Sequence, residues 1–132
     1  HAPGRVGQLG AAEPQTDQRR PEWAGAQAGF RVYRDWLAII NAFPSTRGLP
    51  AFVTSSNTYV ADEGVAPAEN YPDGWLTAAL AEIDQEPQVQ ALCWFLDQDR
   101  SGDKRWDNWS LTAQPGRLAD AAAEFDALLR QD

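Results

Sequence analysis

Methionine is absent from the 132 residues, and cysteine and histidine occur once each, as Cys93 and His1. A single thiol excludes an internal disulfide framework and leaves the redox compartment open. One His and one Cys cannot assemble a conventional zinc site, so no metal and no cofactor are expected. Basic residues are scarce too: 11 stand against 19 acidic ones, for a formal charge of −8. Nucleic-acid backbones and anionic membranes both require clustered Lys and Arg, so neither is expected as a partner. No apolar run approaches the ~20 residues of a membrane span. No signal peptide is visible, and with no initiator Met the chain reads as a fragment or a processed product. The length is one domain's worth, enough for a modest core.

Tryptophan is what the chain has in excess. Trp23, Trp36, Trp75, Trp94, Trp106 and Trp109 are more than the core of so small a domain absorbs. Wide aromatic faces suit the apolar faces of sugar rings and suit protein interfaces equally well.

Residues 1–26 read as an extended arm, with no sustained period through residue 24 and a mixed-charge patch from Asp17 to Glu22. Residues 27–132 carry the periodic elements. Phe30, Tyr33, Leu37 and Ile40 recur at spacings of three and four and predict a helix over 27–43, ended by Pro44. Arg47-Gly48 turns the chain into a short strand over 49–55, where Phe52 and Val53 lead into Thr54, Ser55, Ser56 and Asn57. Buried hydroxyls and amides must be paired, so these four are expected to face partners, water or ligand. A long loop, 56–73, follows; connections of that length are usually functional or mobile. Asp73 is the expected N-cap of a helix over 74–85, with Leu76, Ala79, Leu80 and Ile83 as its apolar stripe. After Pro87, the run from Val89 to Leu96 has strand length. A charged loop spans 97–109, and Pro115-Gly116 introduces a last helix over 117–130. The order helix, strand, helix, strand, helix predicts parallel strands covered by helices.

Several short blocks resemble one family. They are Tyr33-Arg34-Asp35-Trp36-Leu37, the stretch from Leu49 to Asn57, Gly74-Trp75-Leu76, Ala91-Leu92-Cys93-Trp94-Phe95, Trp109-Ser110-Leu111 and Phe125-Asp126. In this order they resemble cellulase-like retaining glycoside hydrolases built on (β/α)8 barrels. The resemblance covers about residues 28 to 130 and implies an α/β fold, the C-terminal portion of a TIM barrel, incomplete on its own. It makes 49–55 strand seven and 89–95 strand eight, with the site at their C-terminal ends. It implies oligo- or polysaccharide as ligand, with the missing N-terminal part of the barrel as a further partner. His1 matches a histidine at the end of strand six, with Pro3 where an aromatic often follows. Trp94 matches a tryptophan that stacks on the sugar beside the cleaved bond. Asn57 would bond sugar hydroxyls, and Trp106 would add a ring face.

The main departure is Ser55, which stands where the family has its nucleophilic Glu. Retaining hydrolysis needs two carboxyl groups about 5–5.5 Å apart, and a serine without an adjacent base is a poor substitute. The family's acid/base comes from strand four, which these residues do not include. Hydrolysis by this chain is therefore not expected; a non-catalytic carbohydrate-binding or protein-interaction domain is the alternative. Two strands alone leave edges unpaired, so an isolated chain is expected to aggregate or to be only partly ordered unless a partner segment completes the barrel.

Other candidates are weaker. Asp97-Gln98-Asp99-Arg100-Ser101-Gly102-Asp103 resembles half a calcium loop, but Asn108 stands where a bidentate Glu belongs and Arg105 at the ninth place. A solvated acidic turn is the favoured reading. Asp62, Glu63 and Glu69 are alternative carboxylates in a long loop, where charges are usually just solvated. Asn108-Trp109-Ser110 fits a glycosylation sequon. Ser55 with His1 lacks a third orienting residue for hydrolytic work. Cys93, inside an apolar run, reads as a packed core thiol.

Overall fold

Pro44, Pro50 and Pro87 divide the chain into helix and strand segments, because proline ends helices and cannot donate to a central ladder. A computed structural model describes residues 13–59, 64–113 and 115–131. The strands are β1 (Arg19–Arg20), β2 (Ala26–Gln27), β3 (Ala51–Ser56) and β4 (Val89–Trp94). The α-helices are α1 (Val32–Ala42), α2 (Pro67–Asn70), α3 (Trp75–Ile83) and α4 (Arg117–Leu129). Short 3-10 helices cover Pro21–Trp23 and Lys104–Trp109.

The expected barrel portion is not what the chain forms. Among the described residues there are two sheets of two strands each, an antiparallel ribbon of β1 with β2 and a parallel pair of β3 with β4. A barrel needs a closed ring of staggered strands, and among the described residues no further strand pairs with β3 or β4. The molecule is a small α/β domain. The arm is also more structured than expected, since residues 19–27 fold back as the ribbon.

The parallel pair sets Ala51 beside Val89, Phe52 beside Ala91, Val53 beside Leu92 and Ser56 beside Trp94, with a register shift after Ala51. Alternation then turns Val53, Leu92 and Trp94 toward the helices, where they pack on the buried clusters. It leaves Phe52 and Cys93 exposed. The expected core thiol is thus on the surface, because its neighbours on either side took the inward face.

Buried side chains form two clusters. One joins Tyr71, Trp75, Leu76 and Ala79 to Leu111, Leu118 and Ala121, so α3 lies on α4. The other joins Tyr33 and Leu37 of α1 to Ile83 and Val89. Burying a leucine- or isoleucine-sized side chain contributes about 1.5–3 kcal/mol. Phe30 and Leu92 touch both clusters.

Charge ties the arm and α1 to α3. Glu82 is 2% exposed and accepts from Arg31 Nε at 2.8 Å and Nη2 at 3.2 Å, and from Arg34 Nη2. Arg31 also donates to Asp17 at 3.0 Å. Hydrogen bonds to Glu82 and then Asp17 raise the Arg31 pKa. Asp35 accepts from the Gln27 backbone N–H at 2.8 Å, fastening β2 to α1.

The start of α3 is capped from another helix. Gly74, not Asp73, is its N-cap, at φ 80, a left-handed conformation that glycine adopts without strain. A glycine has no side chain to satisfy the orphan N–H groups of the first turn. Glu124 of α4 does so, accepting from the Thr77 N–H and from the Tyr71 hydroxyl, each at 2.6 Å. Burial works to raise the Glu124 pKa, but the bonds from Thr77 and Tyr71 outweigh it, and the net shift is downward. A depressed folded value means that this stabilisation is present above the ordinary glutamate pKa of about 4.3 and is lost as pH falls through the folded value. Glu124→Gln should therefore lower the thermal midpoint at neutral pH and flatten its acid dependence. Melting curves of both proteins from neutral to acid pH would check this; parallel acid slopes would refute it.

Candidate functional site

The polar run at the end of β3 opens into a cleft of about 250 Å³. Ser55, Ser56 and Asn57 line it together with Phe30, Tyr33, Tyr59 and Trp75. Two of the predicted site residues therefore share one cleft. Its position, beyond the carboxyl end of a parallel strand, is where open α/β sheets commonly bind ligands. The described lining residues carry no carboxylate and no basic group.

The end of β3 is rigidly held. Asn57 donates Nδ2 to the Phe95 carbonyl at 2.7 Å, tying the end of β3 to β4, and accepts from the Tyr59 N–H at 2.8 Å. Such a bond from the residue two places on is the side-chain turn that Asn favours. Asn57 is thus first a clamp, and it also lines the cleft. Ser55 is exposed, and among the described residues no side chain partners its hydroxyl.

Trp94 does not line this cleft. Its ring packs edge-on against Trp75 at 6.1 Å and Tyr71 at 5.7 Å, behind the cleft wall. Among the described residues its buried Nε1 finds no hydrogen-bond partner, nor do the buried Thr58 Oγ1 and Asn70 Oδ1. Trp106 lies in the 3-10 helix and packs on Phe95 and Trp109 at 5.8 Å each. It reaches the cleft only through Trp109, which lies 4.3 Å from Tyr59. His1, Asp62 and Glu63 fall outside the described residues. Glu69 is an exposed residue of α2.

In the acidic loop the carboxylates bond locally. Asp99 accepts from the Ser101 hydroxyl and N–H. Asp103 accepts from the Arg105 N–H at 3.0 Å, capping the 3-10 helix, and the Arg105 side chain holds its carboxyl below the usual range. A second cleft, of about 470 Å³, lies between β4 and α4, with Leu92, Trp94, Leu111 and Phe125 as walls and Asp97 and Asp126 beside them. It contains none of residues 55–57 and is the more apolar of the two.

The rings of Phe30, Tyr33, Tyr59 and Trp75 were not among the expected site residues. They come from three stretches of chain, Phe30 and Tyr33 from one of them, and three of the four also satisfy a helical or core pattern, so nothing local distinguishes them. Comparison with protein-family models, curated proteins and solved structures found no match for this chain.

Proposed function

We propose that the protein binds a β-linked oligo- or polysaccharide in the cleft at the carboxyl end of β3, without cleaving it. The observation that carries this reading is the composition of the cleft, in which Ser55, Ser56 and Asn57 share the lining with the partly exposed rings of Phe30 and Tyr59, backed by the buried Tyr33 and Trp75. Hydroxyl and amide groups bond sugar hydroxyls, and ring faces take the apolar faces of pyranoses. The blocks that resemble cellulase-like hydrolases support the same ligand class. Binding rather than hydrolysis follows from chemistry: glycoside cleavage needs a pair of carboxyl groups, and among the described residues no base lines the cleft beside Ser55 to activate it.

Titration with cello-, xylo- and manno-hexasaccharides, read by tryptophan fluorescence and calorimetry, tests the proposal. At least one is expected to bind, and Tyr59→Ala to weaken that binding about tenfold, or ~1.4 kcal/mol. No response to any of them at millimolar concentration would sink it. A Ser55→Glu variant is expected to leave aryl β-glycosides intact. Hydrolysis by that variant would instead favour an enzyme that lacks only its nucleophile.

A further inference from the structure

Helix α1 is apolar on two sides. Tyr33 and Leu37 face the core, while Val32, Trp36 and Ile39 of the helix and Phe43 at its C-cap remain 40%, 61%, 54% and 58% exposed. These four recur at spacings of four, three and four, the seam of paired helices. The seam is symmetric about a point midway between Trp36 and Ile39. An antiparallel second copy of the helix would set Val32 level with Phe43 of the second copy, and Trp36 level with Ile39 of the second copy. Each level then pairs a large ring with a smaller branched side chain, as interdigitating surfaces require.

The flanks raise no charge objection. In the same alignment Asp35 falls level with Ile40 of the second copy, and Arg34 with Asn41 of the second copy, so no like charges meet. Both charged groups are already engaged within their own chain, Arg34 by Glu82 and Asp35 by Arg19 and the Gln27 N–H. Leu49, 51% exposed, lies beyond the turn whose N–H groups bond back to Phe43 and Thr46, at the Phe43 end of the seam. The exposed area of these side chains is on the order of 500 Å² per chain. That is below the ~800 Å² per partner of a standard stable interface and belongs with weak, reversible contacts.

We infer that this face of α1 is the contact of a two-fold homodimer, with the two α1 helices antiparallel and Trp36 packed against Ile39 of the second copy. It does not depend on the glycan reading.

Sedimentation velocity of the whole chain from about 1 to 200 µM is the test. Monomer is expected to give way to dimer within this range. Trp36→Glu and Ile39→Lys should each weaken the dimer at least about tenfold. Both positions are exposed, so far-UV circular dichroism should be unchanged. The double variant Trp36→Glu/Ile39→Lys should recover the dimer, because each introduced carboxylate lies level with an introduced ammonium of the second copy. The inference is overturned by a wild-type monomer at the highest concentration. It is equally overturned by a dimer that neither single variant weakens, by a double variant no better than the singles, or by assembly that grows past the dimer.

Discussion

Glu82→Ala is expected to destabilise the domain by about 3–5 kcal/mol, the usual result of removing one partner from a buried ion cluster. The Glu82 side chain is 2% exposed and meets Arg31, itself 18% exposed, and Arg34. Truncation would leave Arg31 deprived of its main partner in a setting that water reaches poorly. Small domains hold only about 5–15 kcal/mol in total, so much of this variant should be unfolded at moderate temperature. Glu82→Gln keeps the shape and an acceptor but not the charge, and should cost about 1.5–3 kcal/mol, the range of a charge-assisted bond. Urea unfolding of the two variants beside the parent measures both. A shift under ~1 kcal/mol for Glu82→Ala would mean that the cluster does not hold the arm and α1 against α3.

Trp75→Ala is expected to cost a comparable amount, about 3–5 kcal/mol, through the cavity left by a large buried ring. Trp75 is 3% exposed and packs against Phe30 at 5.3 Å, Trp94 at 6.1 Å and Tyr71 at 6.4 Å. Edge-to-face ring pairs of this kind add about 0.5–1.5 kcal/mol each beyond burial. The same ring forms part of the cleft wall, so stability and ligand binding should fall together. Trp75→Phe retains a ring against Phe30 and should lose less of both. Thermal and urea unfolding, with the oligosaccharide titration repeated on any folded fraction, separate the two effects. Full stability in Trp75→Ala would show that the aromatic cluster does not organise this part of the core.

Much of the fold could be read from the sequence because the long elements carry strong periodicity. The expected strands 49–55 and 89–96 and helices 74–85 and 117–130 lie within a few residues of β3, β4, α3 and α4. Alternation of helix and strand also predicts the parallel pairing of β3 with β4. It cannot say how many further strands a sheet contains; the barrel portion was implied by the resemblance to cellulase-like hydrolases, and the two-stranded sheets overturn it. The expected helix 27–43 begins only at Val32, since Ala26–Gln27 pairs with β1 and Gly29 packs on Gln18. The ribbon and α2 escape detection because two or four residues show no period. In α1, the stripe through Tyr33 and Leu37 already satisfies the period of a core-facing helix, so the second, exposed stripe through Trp36 carries no separate signal. Of the site, Ser55 and Asn57 were legible as small polar residues ending an apolar strand, whereas the rings opposite them are brought in by tertiary packing.

Phe30 and Leu92 touch both clusters of buried side chains. The halves are also joined through α3, whose Trp75, Leu76 and Ala79 belong to one cluster and whose Ile83 belongs to the other, and through the Glu82 ion cluster. Phe30 also lines the cleft, so a ligand seated there would bear on the joint itself. Occupancy of the cleft would be felt as a tightening of one half against the other, with no rearrangement of either.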